Sequence, residues 1–148
     1  MNDPFDLQRF VNAQNPVFEQ VCSELRQGRK ESHWMWFVFP QLRGLGKSSM
    51  ADRFGISSQA EAKAYLAHPV LGARLVECTR LVNAIEGSSA QDVFGYVDSL
   101  KFRSSMTLFS LVSRGSNVFK DSLNKYFSGL PDSLTIENLR NSELIKPI

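Results

Sequence analysis

The fold is decided by residues 68–87, which read HPVLGARLVECTRLVNAIEG. Apolar side chains recur there four and three residues apart, which is the spacing of one face of an α-helix. They are Leu71, Leu75, Cys78, Val82 and Ile85. Pro69 favours a helix start, because proline suits the first helical turn, and Gly87 supplies a typical helix end. The segment therefore predicts a helix whose apolar stripe belongs to the core.

Similar helix signals occur along the rest of the chain, whereas strand signals are nearly absent. The predicted helix starts lie at Asp3-Pro4, Asn15-Pro16, Ser48 or Ser49, Ser58, Pro69, Ser89 and Asp98, and a further helix is suggested by Val118, Leu123, Tyr126 and Phe127. Prolines, serines and aspartates of this kind cap or begin helices. We predict an all-α fold, a single compact orthogonal helical domain over residues 1–148. It should have about six to eight helices, several of them short, with residues 131–148 as a weakly structured C-terminal tail.

The composition predicts a soluble cytoplasmic protein. The chain has 148 residues, 43% of them hydrophobic, and a formal net charge of +2. No apolar run approaches the ~20 residues of a membrane span, and the N-terminus does not resemble a signal peptide. The small net charge argues against a dedicated nucleic-acid binder. Cys22 and Cys78 lack the spacing of a metal site, so we interpret them as buried thiols of a reducing compartment.

Residues 30–55 are the first candidate for a functional site. Both tryptophans of the chain, Trp34 and Trp36, lie there beside the polar side chains of His33, Gln41 and Arg43. Aromatic rings can fill a core or stack on a ligand, and buried polar groups need partners. His33 is a candidate general acid or base because a histidine titrates near neutral pH. Structural roles for these residues remain the alternative.

The second candidate site is residues 98–107, DSLKFRSSMT. Apolar residues there keep helical spacing, while Lys101, Arg103, Ser104 and Ser105 supply cations and hydroxyls. Polar residues three or four positions apart lie close together on a helix surface. Together with His33 and Gln41 they would suit a small anionic ligand, and Asp98 is a second candidate acid or base. A solvated helix face is the alternative.

The segment Gly44-Leu-Gly-Lys47-Ser48 partly matches a phosphate-binding loop. The full motif is absent, because Gln41 stands where the first glycine is needed and Pro40 interrupts the preceding apolar run. The spacing predicts instead a tight turn whose serine caps the following helix, with or without an anion contact.

Motifs spread over nearly the whole chain resemble one known family. The matching segments are Asp3-Pro4-Phe5, Leu7-Gln8-Arg9-Phe10, Ser32-His33-Trp34-Met35-Trp36, Phe39-Pro40-Gln41, Gly44-Leu45-Gly46, Glu61-Ala62, Tyr65-Leu66, His68-Pro69-Val70-Leu71-Gly72, Phe94-Gly95, Asp98 and Lys101 through Phe109. They resemble a bacterial and fungal family of unknown function, sometimes labelled calpastatin. The resemblance implies a compact α-helical fold and supplies no reaction, cofactor or ligand.

Our first functional hypothesis is a pocket for a small anionic, phosphate-bearing, nucleotide-like ligand. Its binding residues would be Trp34, Trp36, Gln41, Arg43, Lys101, Arg103, Ser104 and Ser105. Hydrolysis or group transfer at a phosphorylated or glycosidic centre is the enzyme class considered, with His33 or Asp98 as acid or base. No cofactor and no metal are predicted, because no metal-binding histidine pair is present.

Two alternatives remain open at this point. In the first, the protein is a non-catalytic interaction module, and the aromatic residues 34–39 dock a partner protein or a second copy of the chain. In the second, a set of cations binds RNA. That set is Arg26, Arg29, Lys30, Arg43, Lys47 and Arg53.

Overall fold

The protein is built from helices. The computed structural model describes residues 2–114 and 117–144, and ten helices lie in that part of the chain. They are α1 (Gln8–Gln14), α2 (Phe18–Arg26), α3 (Met35–Val38), α4 (Ser49–Arg53), α5 (Gln59–Ala67), α6 (Leu71–Asn83), α7 (Ala90–Phe94), α8 (Tyr96–Val112), α9 (Val118–Phe127) and α10 (Ser133–Leu144). Within these residues, β structure is limited to one isolated parallel bridge between Leu42 and Ile56. The predicted all-α class is confirmed.

Two helices exceed the predicted six to eight. The first is α3, which has only four residues, too few for apolar spacing to reveal. The second is α10, which lies where we expected a weakly structured tail. Thr135 and Leu139 of α10 are buried, and α10 packs on α8. Tertiary packing therefore stabilises α10, although its sequence pattern does not predict a helix. The last part of that tail, residues 145–148, lies outside the described residues.

Most of the predicted helix starts are close to the observed ones. Ser48 caps α4, since its Oγ accepts a hydrogen bond from the Ala51 N–H at 3.1 Å. Ser58 caps α5 in the same way, but the Glu61 carboxylate accepts from the Ser57 N–H and not from Ser58. Asp98 is not the cap of its helix, because α8 already begins at Tyr96.

α8 lies at the centre of the fold. It packs against α5, α7, α9 and α10, and its Phe102, Met106 and Phe109 are buried completely. The ring of Phe102 stacks on Phe94 at a centroid distance of 4.7 Å and meets Phe39 edge-on at 5.1 Å. Edge-on and offset contacts of this kind are the favoured geometries of aromatic pairs. The 30–55 aromatics are thus joined directly to the central helix.

The described helices do not include one long and apolar enough to cross a membrane. Cys22 and Cys78 are both buried free thiols, as predicted. Burial raises the pKa of each thiol, which keeps it protonated and unreactive at neutral pH.

The carboxylate of Glu24 on α2 is the most heavily bonded buried polar group of the N-terminal half. One oxygen, Oε1, accepts from the backbone N–H groups of Glu31 at 2.7 Å and Ser32 at 3.0 Å, and from the Trp34 Nε1–H at 2.9 Å. The other, Oε2, accepts from the Ser32 hydroxyl and from Gln20 Nε2. Burial alone would raise the pKa of this carboxyl, but the hydrogen bonds outweigh it and lower the pKa from 4.5 to about 2. Glu24 therefore fixes the turn that leads into the aromatic segment.

We expect Glu24→Gln to destabilise the protein by about 2 kcal/mol at pH 7, because it removes a charged acceptor from one buried and four partly buried hydrogen bonds. The measurement is urea unfolding followed by circular dichroism. Glu19→Gln, an exposed position on the same helix, is the matched control and should change stability little.

The pH dependence gives a second readout of the same contact. A carboxyl whose pKa is lowered on folding stabilises the protein above its unfolded pKa of 4.5, and this contribution disappears as the pH falls toward 2. The stability difference between wild type and Glu24→Gln should therefore shrink over that interval. An unchanged difference would show that the charge of Glu24 is unimportant.

Candidate functional site

The two segments singled out in the sequence meet at an open cleft of about 480 Å³, called here the α4–α8 cleft. One wall comes from the turn before α4 and from α4 itself, and the other from the first half of α8 and the start of α10. The lining residues are Gln41, Leu45, Gly46, Lys47, Ser48, Ala51, Val97, Leu100, Lys101, Arg103, Ser104, Asp132 and Leu134. A volume in this range matches common small-molecule sites.

The α4 wall is held in place by backbone hydrogen bonds at its base. The Arg43 N–H donates to the Ile56 carbonyl at 2.8 Å, and the Ile56 N–H donates to the Gln41 carbonyl at 2.9 Å. These bonds close residues 42–55 into a loop. Gly46 lets the loop fold tightly, since a Cβ there would lie 2.7 Å from the Ala51 Cβ and 3.1 Å from Gln41 Nε2. The glycine-rich turn is thus required by close packing at the edge of the cleft.

Lys101 belongs to a short chain of charges beside the cleft. Asp98 pairs with Lys30 at 2.9 Å and with Lys101 at 3.6 Å. The Lys30 ammonium lies 5.1 Å from the Trp34 ring centroid, and that of Lys101 lies 5.2 Å from the Trp36 ring centroid. Each cation therefore gains a cation–π contact. With two cations and one anion, the three side chains have a net charge of +1.

The polar face of α8 contacts the turn before α10. Ser104 Oγ donates to Asp132 Oδ2 at 3.1 Å, and the Asp132 N–H donates to Thr107 Oγ1 at 2.8 Å. Arg103 Nε donates to the Leu130 carbonyl at 2.9 Å, and its guanidinium carbon lies 5.5 Å from the Phe127 ring centroid. These contacts hold Arg103 and Ser104 on the α8 wall of the cleft.

The structure brings four of the predicted ligand-binding residues to the cleft and leaves the others elsewhere. Gln41, Lys101, Arg103 and Ser104 line it. Trp36 lines an adjoining cavity of about 10 Å³, called here the Trp36 cavity. The remaining three are Trp34, Arg43 and Ser105.

Those three residues have other surroundings. Trp34 is in the core and donates its indole N–H to Glu24. Arg43 is exposed and donates from Nε to the Asp52 carbonyl at 3.2 Å. Ser105 is completely buried, and its Oγ has no hydrogen-bond partner among the described residues. Trp34 therefore has a structural role in this fold, and Ser105 faces the interior of the molecule.

Neither predicted acid–base residue is among the lining residues of the cleft. His33 is exposed on the turn before α3. Asp98 lies at the start of α8 and is paired with the two lysines. In the described part of the chain, no group of three or more histidine, cysteine, aspartate or glutamate side chains is placed to hold a metal ion.

Sequence reasoning missed the apolar side of the cleft. Val97, Leu100 and Leu134 are 62%, 46% and 56% exposed, which is high for large apolar side chains. Val97 and Leu100 are three residues apart and outside the buried stripe of α8, so their spacing was an available signal. Leu134 and Asp132 gave no such signal, because their helix was not predicted.

Two of three comparisons with known proteins find a relative of this chain. A family model described as "Protein of unknown function (DUF1810)" matches residues 4–139. The crystal structure of the conserved hypothetical protein Rv1873 from Mycobacterium tuberculosis is similar, with 56% identity and a TM-score of 0.92, over 93% of this chain and 99% of that one. No curated protein matches. The sequence resemblance to a helical family of unknown function is thus confirmed, and the chain belongs to the DUF1810 family.

Proposed function

We propose that the protein binds a small anionic ligand of nucleotide-like size, carrying a phosphate group, in the α4–α8 cleft. The observation that carries this proposal is the charge of the lining: Lys47, Lys101 and Arg103 contribute three cations. Among the described lining residues, Asp132 is the acidic one, and its carboxylate already accepts from Ser104 and Thr135. The excess of positive charge favours an anion, and phosphate oxygens accept charge-assisted hydrogen bonds.

The positive charge of Lys101 is only partly neutralised by Asp98, so it can still attract an anionic ligand. The aspartate has a single negative charge, and Lys30 is the closer partner, at 2.9 Å against 3.6 Å. The Lys30 side chain is also the more buried of the two lysines. Lys30 therefore neutralises most of Asp98, and Asp98 positions Lys101 at the edge of the cleft.

Arg103 is held ready for an anion by contacts that use only part of its guanidinium. The Arg103 Nε donates a hydrogen bond to the Leu130 carbonyl, and the guanidinium carbon lies 5.5 Å from the centre of the Phe127 ring. No partner for its two terminal nitrogens is found among the described residues. A cation held in place before binding loses little side-chain entropy when the ligand arrives.

The exposed apolar side chains of the cleft support a ligand that also has a ring or another apolar part. Val97, Leu100 and Leu134 are exposed on the same cleft as the three cations. Exposed apolar side chains beside converging polar groups are typical of small-molecule sites. A free inorganic anion would leave these apolar side chains in water, so the arrangement favours a larger phosphorylated molecule.

Binding is proposed without a reaction step. The acid–base roles of His33 and Asp98 stay predictions of the sequence, and the hydrolase or transferase class depends on them. His33 is exposed outside the cleft lining, and the Asp98 carboxylate is paired with two ammonium groups. These positions give the predicted chemistry no support.

The alternative interaction module has little support from the position of residues 34–39. Trp34, Phe37 and Phe39 are only 1%, 7% and 1% exposed. Docking hot spots need side chains that a partner can reach. Of the four aromatic residues in this segment, Trp36 is half-buried and the others are buried, which leaves a partner little surface to contact.

We expect AMP to bind at least tenfold more tightly than adenosine, because only AMP presents a phosphate to the cations. Isothermal titration calorimetry measures both affinities. Lys101→Met should weaken AMP binding by roughly 10- to 100-fold, the value of a charge-assisted hydrogen bond. Lys120→Met, an exposed lysine on α9, is the matched control and should leave AMP binding unchanged. Equal affinity for AMP and adenosine, or equal effects of the two variants, would refute the proposal.

A second prediction compares two glycine variants, one expected to change the shape of the cleft and one expected to change only the stability of the fold. Gly46→Ala should weaken AMP binding, because the new Cβ would displace Ala51 or the Gln41 amide at the cleft edge. In Gly44→Ala the new Cβ would meet no atom of the described residues within 4 Å, but the φ of +99° at this position strains an alanine. We expect Gly44→Ala to lower the melting temperature without changing affinity. The opposite pattern would show that the Gly46 turn does not shape the site.

A further inference from the structure

The indole N–H of Trp36 is a buried donor that has no hydrogen-bond partner in the described part of the chain. Among the described residues, Trp36 Nε1 and Ser105 Oγ are the buried side-chain polar atoms that lack a hydrogen bond. The other tryptophan differs, since Trp34 Nε1 donates to Glu24 at 2.9 Å. A buried donor left unpaired is costly, so native proteins rarely keep one without a reason. Binding an acceptor atom would remove this cost.

Trp36 lies next to the α4–α8 cleft. Trp36 lines the small Trp36 cavity, whose other lining residues are Met35, Phe39, Gln41, Ala51, Phe54 and Lys101. Three of these, Gln41, Ala51 and Lys101, also line the cleft. The Trp36 cavity therefore adjoins the cleft. Its volume of about 10 Å³ suits one group the size of a water molecule.

The polar groups around the Trp36 cavity favour an oxygen with negative charge. The Lys101 ammonium lies 5.2 Å from the centre of the Trp36 ring and supplies positive charge at the boundary of the two spaces. Gln41 adds a half-buried amide that can donate as well. The rest of the lining is apolar, so an oxygen there would be shielded from water. In such surroundings a hydrogen bond to an anionic acceptor is strong.

We propose that one phosphate oxygen of the ligand enters the Trp36 cavity and accepts a hydrogen bond from Trp36 Nε1. The remaining phosphate oxygens stay in the cleft with Lys101 and Arg103. This inference rests on the proposed function and adds a binding residue to it. It also gives a role to the second tryptophan of the 30–55 segment, whose N–H is not bonded to any of the described residues.

The first test needs no variant. A ¹H–¹⁵N spectrum of the protein contains one indole N–H signal from each of its two tryptophans. Addition of AMP should shift the Trp36 signal and slow its exchange with water, while the Trp34 signal, already bonded to Glu24, should stay in place. Adenosine should leave both signals unchanged. A Trp36 signal that does not respond to saturating AMP would overturn the inference.

The second test is the affinity of Trp36→Phe, which removes the N–H and keeps an aromatic ring. AMP binding should weaken about tenfold, while adenosine binding should not change. If AMP binding depends on Lys101 but not on Trp36, the inference is overturned and the proposed function stands. If the wild type does not bind AMP at millimolar concentration, both are overturned. The indole spectrum of the wild type decides the question if Trp36→Phe does not fold.

Discussion

The carboxylate of Glu24 is the interaction on which the rest of the N-terminal structure depends. It accepts hydrogen bonds from two backbone amides, one hydroxyl, one amide side chain and the Trp34 indole. A buried charge is tolerated only when it is bonded in this way, so the turn over residues 30–34 has a single favourable arrangement. That turn sets the position of Trp34 and begins the aromatic segment. The turn is therefore ordered by hydrogen bonds to the Glu24 side chain and not by a helix or strand.

Lys30 connects the turn held by Glu24 to the α4–α8 cleft. The residue lies in the turn that Glu24 holds, and its ammonium is paired with Asp98 on the central helix. Asp98 in turn contacts Lys101, which lies over Trp36 and lines the cleft. Packing and ion pairing therefore act on the same few side chains. A site built on such a scaffold is held in position before a ligand arrives.

The helices were largely predictable from the sequence, because caps, glycine stops and apolar spacing are local signals. The eight predicted helices correspond to α1, α2 and α4–α9, and the missed α3 and α10 depend on tertiary packing. The site was predictable in part. Gln41, Lys101, Arg103 and Ser104 stood out as polar residues near aromatics, and they line one cleft. The structural roles of Trp34 and Glu24 could not be predicted, because they depend on the hydrogen bond between the two side chains. Nothing in the sequence distinguishes a buried glutamate of an amphipathic helix from an exposed one.

The most direct test of the α4–α8 cleft as an anion site is a map of the backbone amides that respond to AMP in a ¹H–¹⁵N spectrum. We expect the shifted amides to lie in residues 45–51, 97–104 and 130–134, which form the two walls of the cleft. Shifts concentrated on the surface of α6 and α9, or no shifts at saturating AMP, would contradict the assignment of the cleft as the functional site.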